Sequence, residues 1–138
     1  MCPVEDIDVE TEAAAGPTIL LVEDETLLRL AASEHLREVG FTVVEAANGA
    51  EARAVLEAGV QIDLVFSDIN MPVLDGVGLA LWVASQENPP PMLLTSGVAA
   101  VLASARVSCP AVKAFLPKPY PYGELEEQIR AALPKRDV

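Results

Sequence analysis

The chain has 138 residues, of which 51% are hydrophobic and only 4% aromatic, and it carries a formal net charge of −12. That length suits one domain with an aliphatic core that needs no disulfide or metal to hold it. The acidity, with no basic patch, excludes direct nucleic-acid binding, and the sequence offers neither a membrane span nor a signal peptide.

Residues 1–17 hold Glu5, Asp6, Asp8, Glu10 and Glu12 and neither Lys nor Arg, so a large share of the negative charge sits in this leader. With Ala13-Ala14-Ala15-Gly16-Pro17 as a hinge, the leader is expected to be disordered, because it cannot bury enough apolar surface to order itself. Cys2 and Cys109 are isolated and lack metal-ligand spacing. They point to a reducing, cytoplasmic setting without a disulfide.

From residue 18 onward strands and helices alternate. Residues 18–22 read as a buried strand, Ile19-Leu20-Leu21-Val22, that delivers Glu23-Asp24-Glu25. Residues 25–39 read as a helix with Leu28, Ala32, Leu36 and Val39 on one face, closed by Gly40. His35 lies beside that stripe and is expected to pack there. Residues 41–45 alternate as a strand, and Asn48 starts a helix over 49–58 that Gly59 ends. The apolar run before Asp68 covers a third strand, 63–67, and Asn70-Met71-Pro72 then leads to Asp75-Gly76 and a helix over 76–85.

Pro89-Pro90-Pro91 forces an extended loop before the fourth strand, 92–95, which delivers Thr95-Ser96-Gly97. A helix over 98–107, a strand over 112–116 that delivers Lys118, and a helix over 122–133 complete the domain, 18–134, with 135–138 as a tail. Five strands and five helices in alternation imply an α/β fold, a parallel sheet covered on both faces.

Carboxylates, a hydroxyl and one ammonium group at the C-terminal ends of successive strands make a site for a divalent metal and a phosphoryl group. Each residue also has a plainer reading. Glu23-Asp24-Glu25 suits a helix N-terminus, with Glu25 expected to cap only. Ser96-Gly97 is an ordinary turn, and a lone Lys118 would be solvated, although Pro117 and Pro119 fix the backbone on both sides. Gly76-Val77-Gly78 lacks the third glycine of a dinucleotide fingerprint. The haloacid dehalogenase phosphatases need a second Asp two residues after the nucleophile, where this chain has Asn70.

The segments Leu21-Val22-Glu23-Asp24-Glu25, Ser67-Asp68-Ile69-Asn70-Met71-Pro72 with Asp75-Gly76, Leu94-Thr95-Ser96-Gly97 and Pro117-Lys118-Pro119 resemble the receiver domain of two-component response regulators. The resemblance implies a flavodoxin-like fold with strand order 2-1-3-4-5. It also implies Asp68 as phosphoacceptor, attacking a phosphohistidine of a histidine kinase or histidine phosphotransfer protein. Mg²⁺ would be held by Asp24, Asp68 and the backbone carbonyl of Asn70, with Glu23 acting directly or through water. Lys118 would supply charge and Ser96 a hydrogen bond to the phosphoryl group, and Phe115 matches the switch aromatic. In the family the bond from this Lys to the following Pro is cis.

Three residues depart from the common pattern: Glu23 where Asp is frequent, Ser96 where Thr is, and Phe115 where Tyr is. The expected activity is that of a phosphoacceptor signalling domain rather than an enzyme. The alternative is an adaptor of the same fold that signals by binding alone. A downstream partner, or a homodimer, is expected on the face of helix 98–107, strand 112–116 and helix 122–133. The first of these helices is almost wholly apolar, with Arg106 as its only charge.

Overall fold

The computed structural model describes residues 16–134. The leader to residue 15 and the tail 135–138 lie outside the described residues. Gly16 and Pro17, expected in the hinge, already belong to the folded body. Gly16 N–H donates to the Gly40 carbonyl at 2.9 Å, and the Pro17 carbonyl accepts from Thr42 N–H at 3.0 Å.

The strands are β1 (Thr18–Val22), β2 (Thr42–Ala46), β3 (Leu64–Asp68), β4 (Met92–Ser96) and β5 (Ala114–Pro117). The helices are α1 (Thr26–Glu38), α2 (Gly49–Glu57), α3 (Gly76–Ala84), α4 (Ala99–Ser108) and α5 (Tyr122–Ala132). All strand pairs are parallel, in the order 2-1-3-4-5. The inner strands β3 and β4 are buried at every position, as continuous apolar runs covered on both faces require.

Alternation along the strands divides the core in two. Ile19, Leu21, Leu64, Phe66, Leu93 and Leu116 point to one face, where Ala32, Leu36, Leu125 and Ile129 of α1 and α5 meet them. Leu20, Val22, Val65 and Leu94 point to the other, against Ala52, Leu79, Val83, Leu102 and Ala105 of α2, α3 and α4. A period of two within each strand thus sets which helices share a layer.

Expected and observed elements agree in kind and order, and differ at their ends. Glu25, Ala58, Ser85, Val98 and Leu133, read as helical, are flanking cap residues. Asp68 and Ser96 are the last residues of their strands, not the first loop residues. The fifth strand starts later than expected, because Val112 N–H closes a turn onto the Cys109 carbonyl at 3.1 Å, and it runs on to Pro117.

Two expectations about side chains are corrected. Leu28, placed on the inner face of the first helix, is 46% exposed. It stands in the first turn, beyond the end of β1 at Val22, so the sheet offers nothing beneath it. Glu25 occupies the N-cap position but makes no side-chain cap bond; Glu23 Oε2 instead accepts from Glu25 N–H at 3.2 Å. His35 packs as expected, stacked on Tyr122 at 4.8 Å between ring centroids.

α4 is less greasy outside than its composition suggests. Leu102 and Ala105 are buried and Val101 is half-buried, whereas Val107 is exposed and the remaining outward positions are Ala, Ser and Arg106. Among the described residues no helix is long and apolar enough to cross a membrane.

Candidate functional site

The site lies where β1, β3, β4 and β5 end. β1 and β3 are neighbours, with Val22 paired to Ser67, so the acids that follow Val22 emerge beside Asp68. Carboxylate oxygens of Glu23, Asp24 and Asp68 lie within 4.8 Å of one another. Glu23 and Asp68 are buried while Asp24 is exposed, so the cluster opens to solvent on one side.

Lys118 answers this charge. Its Nζ donates to Glu23 Oε1 at 3.0 Å and to Asp68 Oδ2 at 3.1 Å. Burial works against the ammonium, but the hydrogen bond to Glu23 and the negative charge of Asp68 outweigh it and raise its pKa. Glu23 is raised from the usual carboxylate range chiefly by burial, against the lowering effect of its bonds from Glu25 N–H and Lys118. The backbone positions the ammonium: Ser96 pairs with Pro117, Lys118 N–H donates to the Ser96 carbonyl at 2.9 Å, and the Lys118–Pro119 bond is cis.

The loop from β3 to α3 is equally fixed. Ile69 N–H donates to the Thr95 carbonyl and Gly76 N–H to the Ile69 carbonyl, both at 2.9 Å. A Cβ on Gly76 would run into the Asp68 carbonyl, so only glycine lets α3 start this close to the strand end. Asp75 caps α3 by accepting from Gly78 N–H at 2.8 Å. Asn70 N–H donates to Asp68 Oδ1 at 3.3 Å, which turns the loop back on the carboxylate.

The structure brings Glu23, Asp24, Asp68 and Lys118 into one cluster. Ser96 is buried beside it, its hydroxyl donating to Asn70 Oδ1 at 2.8 Å. Phe115 is not part of the cluster; it lies half-buried on β5, with the Arg106 guanidinium 4.8 Å over its ring. Three carboxylates and nearby carbonyls offer hard oxygen donors, and their crowding favours a small cation, so the residues present fit Mg²⁺.

Two residues here had no role in the sequence reading. Arg29 Nη1 donates to the Glu23 carbonyl at 2.8 Å and its Nε to Glu45 Oε1 at 3.2 Å, pinning the acidic turn to β2. Tyr120 meets Phe66 edge-on and, with Leu28, Lys118, Pro119 and Tyr122, lines a cleft of about 450 Å³ next to Glu23. Burial, then the charge of Glu23, pushes its phenol well up. An Arg one turn into the helix after the acids was the only sequence signal for the first; the second had none.

The family model for the response regulator receiver domain matches residues 19–130. The sensor kinase CckA of Brucella abortus is 33% identical over 132 residues, covering 95% of this chain and 14% of that protein. The transcriptional regulatory protein PdtaR of Mycobacterium tuberculosis is 34% identical over 125 residues, covering 90% of this chain and 60% of its own length. The chain thus spans only part of these curated relatives.

Among solved structures, the Thermotoga maritima response regulator TrrA in complex with Mg²⁺ and BeF superposes with a TM-score of 0.78 at 28% identity, over 86% of this chain and all of that one. A receiver protein from Pseudomonas putida gives 0.75 at 30%, over 86% and 98%. The family model covers most of the chain, the strand order 2-1-3-4-5 matches that of the solved neighbours, and the chain belongs to the response regulator receiver domain family.

Proposed function

We propose that this chain accepts a phosphoryl group on Asp68 from the phosphohistidine of a histidine kinase or a histidine phosphotransfer protein. The observation that carries this reading is Lys118 Nζ held between Asp68 and Glu23, with the Asp24 carboxylate beside them at the strand ends. An Asp68 oxygen attacks phosphorus, the new O–P bond forms as the P–N bond breaks, and the imidazole departs with the bonding pair. Lys118 offers a point charge to the transferred group, and Ser96 a hydroxyl.

Glu23, Asp24, Asp68 and the Asn70 backbone carbonyl are the proposed Mg²⁺ holders, Glu23 directly or through water. When bound, the ion supplies positive charge that offsets the charge on the phosphoryl oxygens. Complex formation of TrrA with Mg²⁺ and BeF supports the same use here. With a histidine kinase as donor, the same proposal has the chain act in the cytoplasm. Readout is through the face of α4, β5 and α5, by a homodimer or a downstream protein, with Phe115 on its central strand. An adaptor working by binding alone would have no use for an ammonium held between two buried acids.

Incubation with acetyl phosphate and Mg²⁺, read by intact mass, tests the assignment. One phosphoryl group should be gained only with the metal present, and none by Asp68→Asn. Label that persists in Asp68→Asn, on a Ser or His, would overturn it.

A further inference from the structure

The proposed metal site uses only the backbone carbonyl of Asn70, and leaves its side chain without a task. That side chain is engaged. Asn70 Oδ1 accepts the Ser96 hydroxyl at 2.8 Å, while Ser96 Oγ itself accepts Val98 N–H at 3.0 Å. Ser96 is fully buried, and its backbone is held by strand pairing and by the bond from Lys118 N–H to its carbonyl. A hydroxyl has one proton to donate. As long as that proton points at Asn70, Ser96 cannot donate to a phosphoryl oxygen on Asp68.

We propose that the Asn70 side chain is a positioning group that holds the Ser96 hydroxyl in its resting orientation, so that phosphoryl binding must compete with Asn70 for the Ser96 proton. The exchange is a small one by design of the geometry. Asn70 is exposed, so its freed carbonyl is taken over by water, whereas the hydroxyl moves from a neutral acceptor to an anionic one. The pair thus sets a threshold without blocking the response. The length of the Asn side chain matters: residue 70 is two positions beyond the phosphoacceptor, where the amide just spans to the end of β4.

This inference rests on the function proposed above, and its test separates the two. Beryllium trifluoride stands in for the phosphoryl group, at saturating Mg²⁺, and its Kd is measured for the wild type, Asn70→Ala, Ser96→Ala and the double variant. Loss of one neutral hydrogen bond from the resting state should tighten binding by about 2- to 12-fold in Asn70→Ala. In the Ser96→Ala background the same substitution should have no effect, as a double-mutant cycle for a shared bond requires.

In backbone NMR spectra without beryllium trifluoride, the Val98 amide of Asn70→Ala should shift toward its position in the bound wild type. Unchanged or weaker binding by Asn70→Ala, or equal tightening with and without Ser96, overturns the positioning role alone. A wild-type chain that fails to bind beryllium trifluoride at all overturns both readings.

Discussion

Replacing Lys118 by Ala removes the cation that Glu23 and Asp68 share, and the cost can be worked from the distances. Their carboxylate oxygens come within 4.8 Å. Two unit charges at that separation repel by about 3.5 kcal/mol at an effective dielectric constant of about 20. Solvent at the open side and proton uptake by Glu23, whose pKa burial already raises, relieve part of this. Removing one partner of a fully buried pair costs about 3–5 kcal/mol. The Lys118 side chain keeps 21% of its surface exposed, so we expect a loss nearer about 2–3 kcal/mol.

Urea unfolding in EDTA, followed by circular dichroism, measures the loss in Lys118→Ala. Two further arms isolate its origin. Glu23→Gln added to Lys118→Ala should recover at least half of the lost stability, because it removes the repulsion without changing the fold. Saturating Mg²⁺ should narrow the gap between Lys118→Ala and wild type. A Lys118→Ala chain as stable as wild type in EDTA, or a double variant no more stable than the single one, would show that the ammonium does not hold these acids together.

Two more tests address the frame around the site and a buried thiol away from it. Gly76→Ala places a Cβ within 2.7 Å of Ile69 Cα and closer still to the Asp68 carbonyl. It should cost about 1–3 kcal/mol in urea unfolding and weaken beryllium trifluoride binding at the displaced Asp68, and a variant that binds like wild type refutes the close approach. Cys109 concerns pH: burial first, and the charge of Asp75 second, push its thiol above the ordinary value near 9.0. The folded chain then keeps a proton that the unfolded chain loses, so this contribution is intact below about pH 9 and declines as pH rises toward the folded value, by at most about 1.4 kcal/mol per unit. Cys109→Ala should flatten the alkaline fall of stability above about pH 9, and an unchanged slope refutes the assignment.

Asp68 and Lys118 were readable in the sequence because each ends an apolar run, and in a parallel sheet such ends gather at one edge. Leu28 shows the limit of that reading. Helical period assigns a face but not where the sheet stops, and Leu28 overhangs the end. Glu25 fails for a related reason: several acids could serve the helix start, and it is the Glu23 carboxylate that takes the free N–H. The bond from Ser96 to Asn70 and the seat of Arg106 on Phe115 join residues brought near only by the crossovers, so neither has a local sequence signal.

β5 is only four residues long, stands at the rim of the sheet, and finishes on Pro117. Proline has no amide proton to offer an incoming chain, and the preceding residues leave room for barely one repeat of a ladder. A short edge that ends on proline therefore offers a neighbouring molecule little to zip onto as a sixth strand. Whatever associates here has to recognise side chains rather than a backbone edge, and side chains can be matched to one partner where a bare ladder would accept any strand.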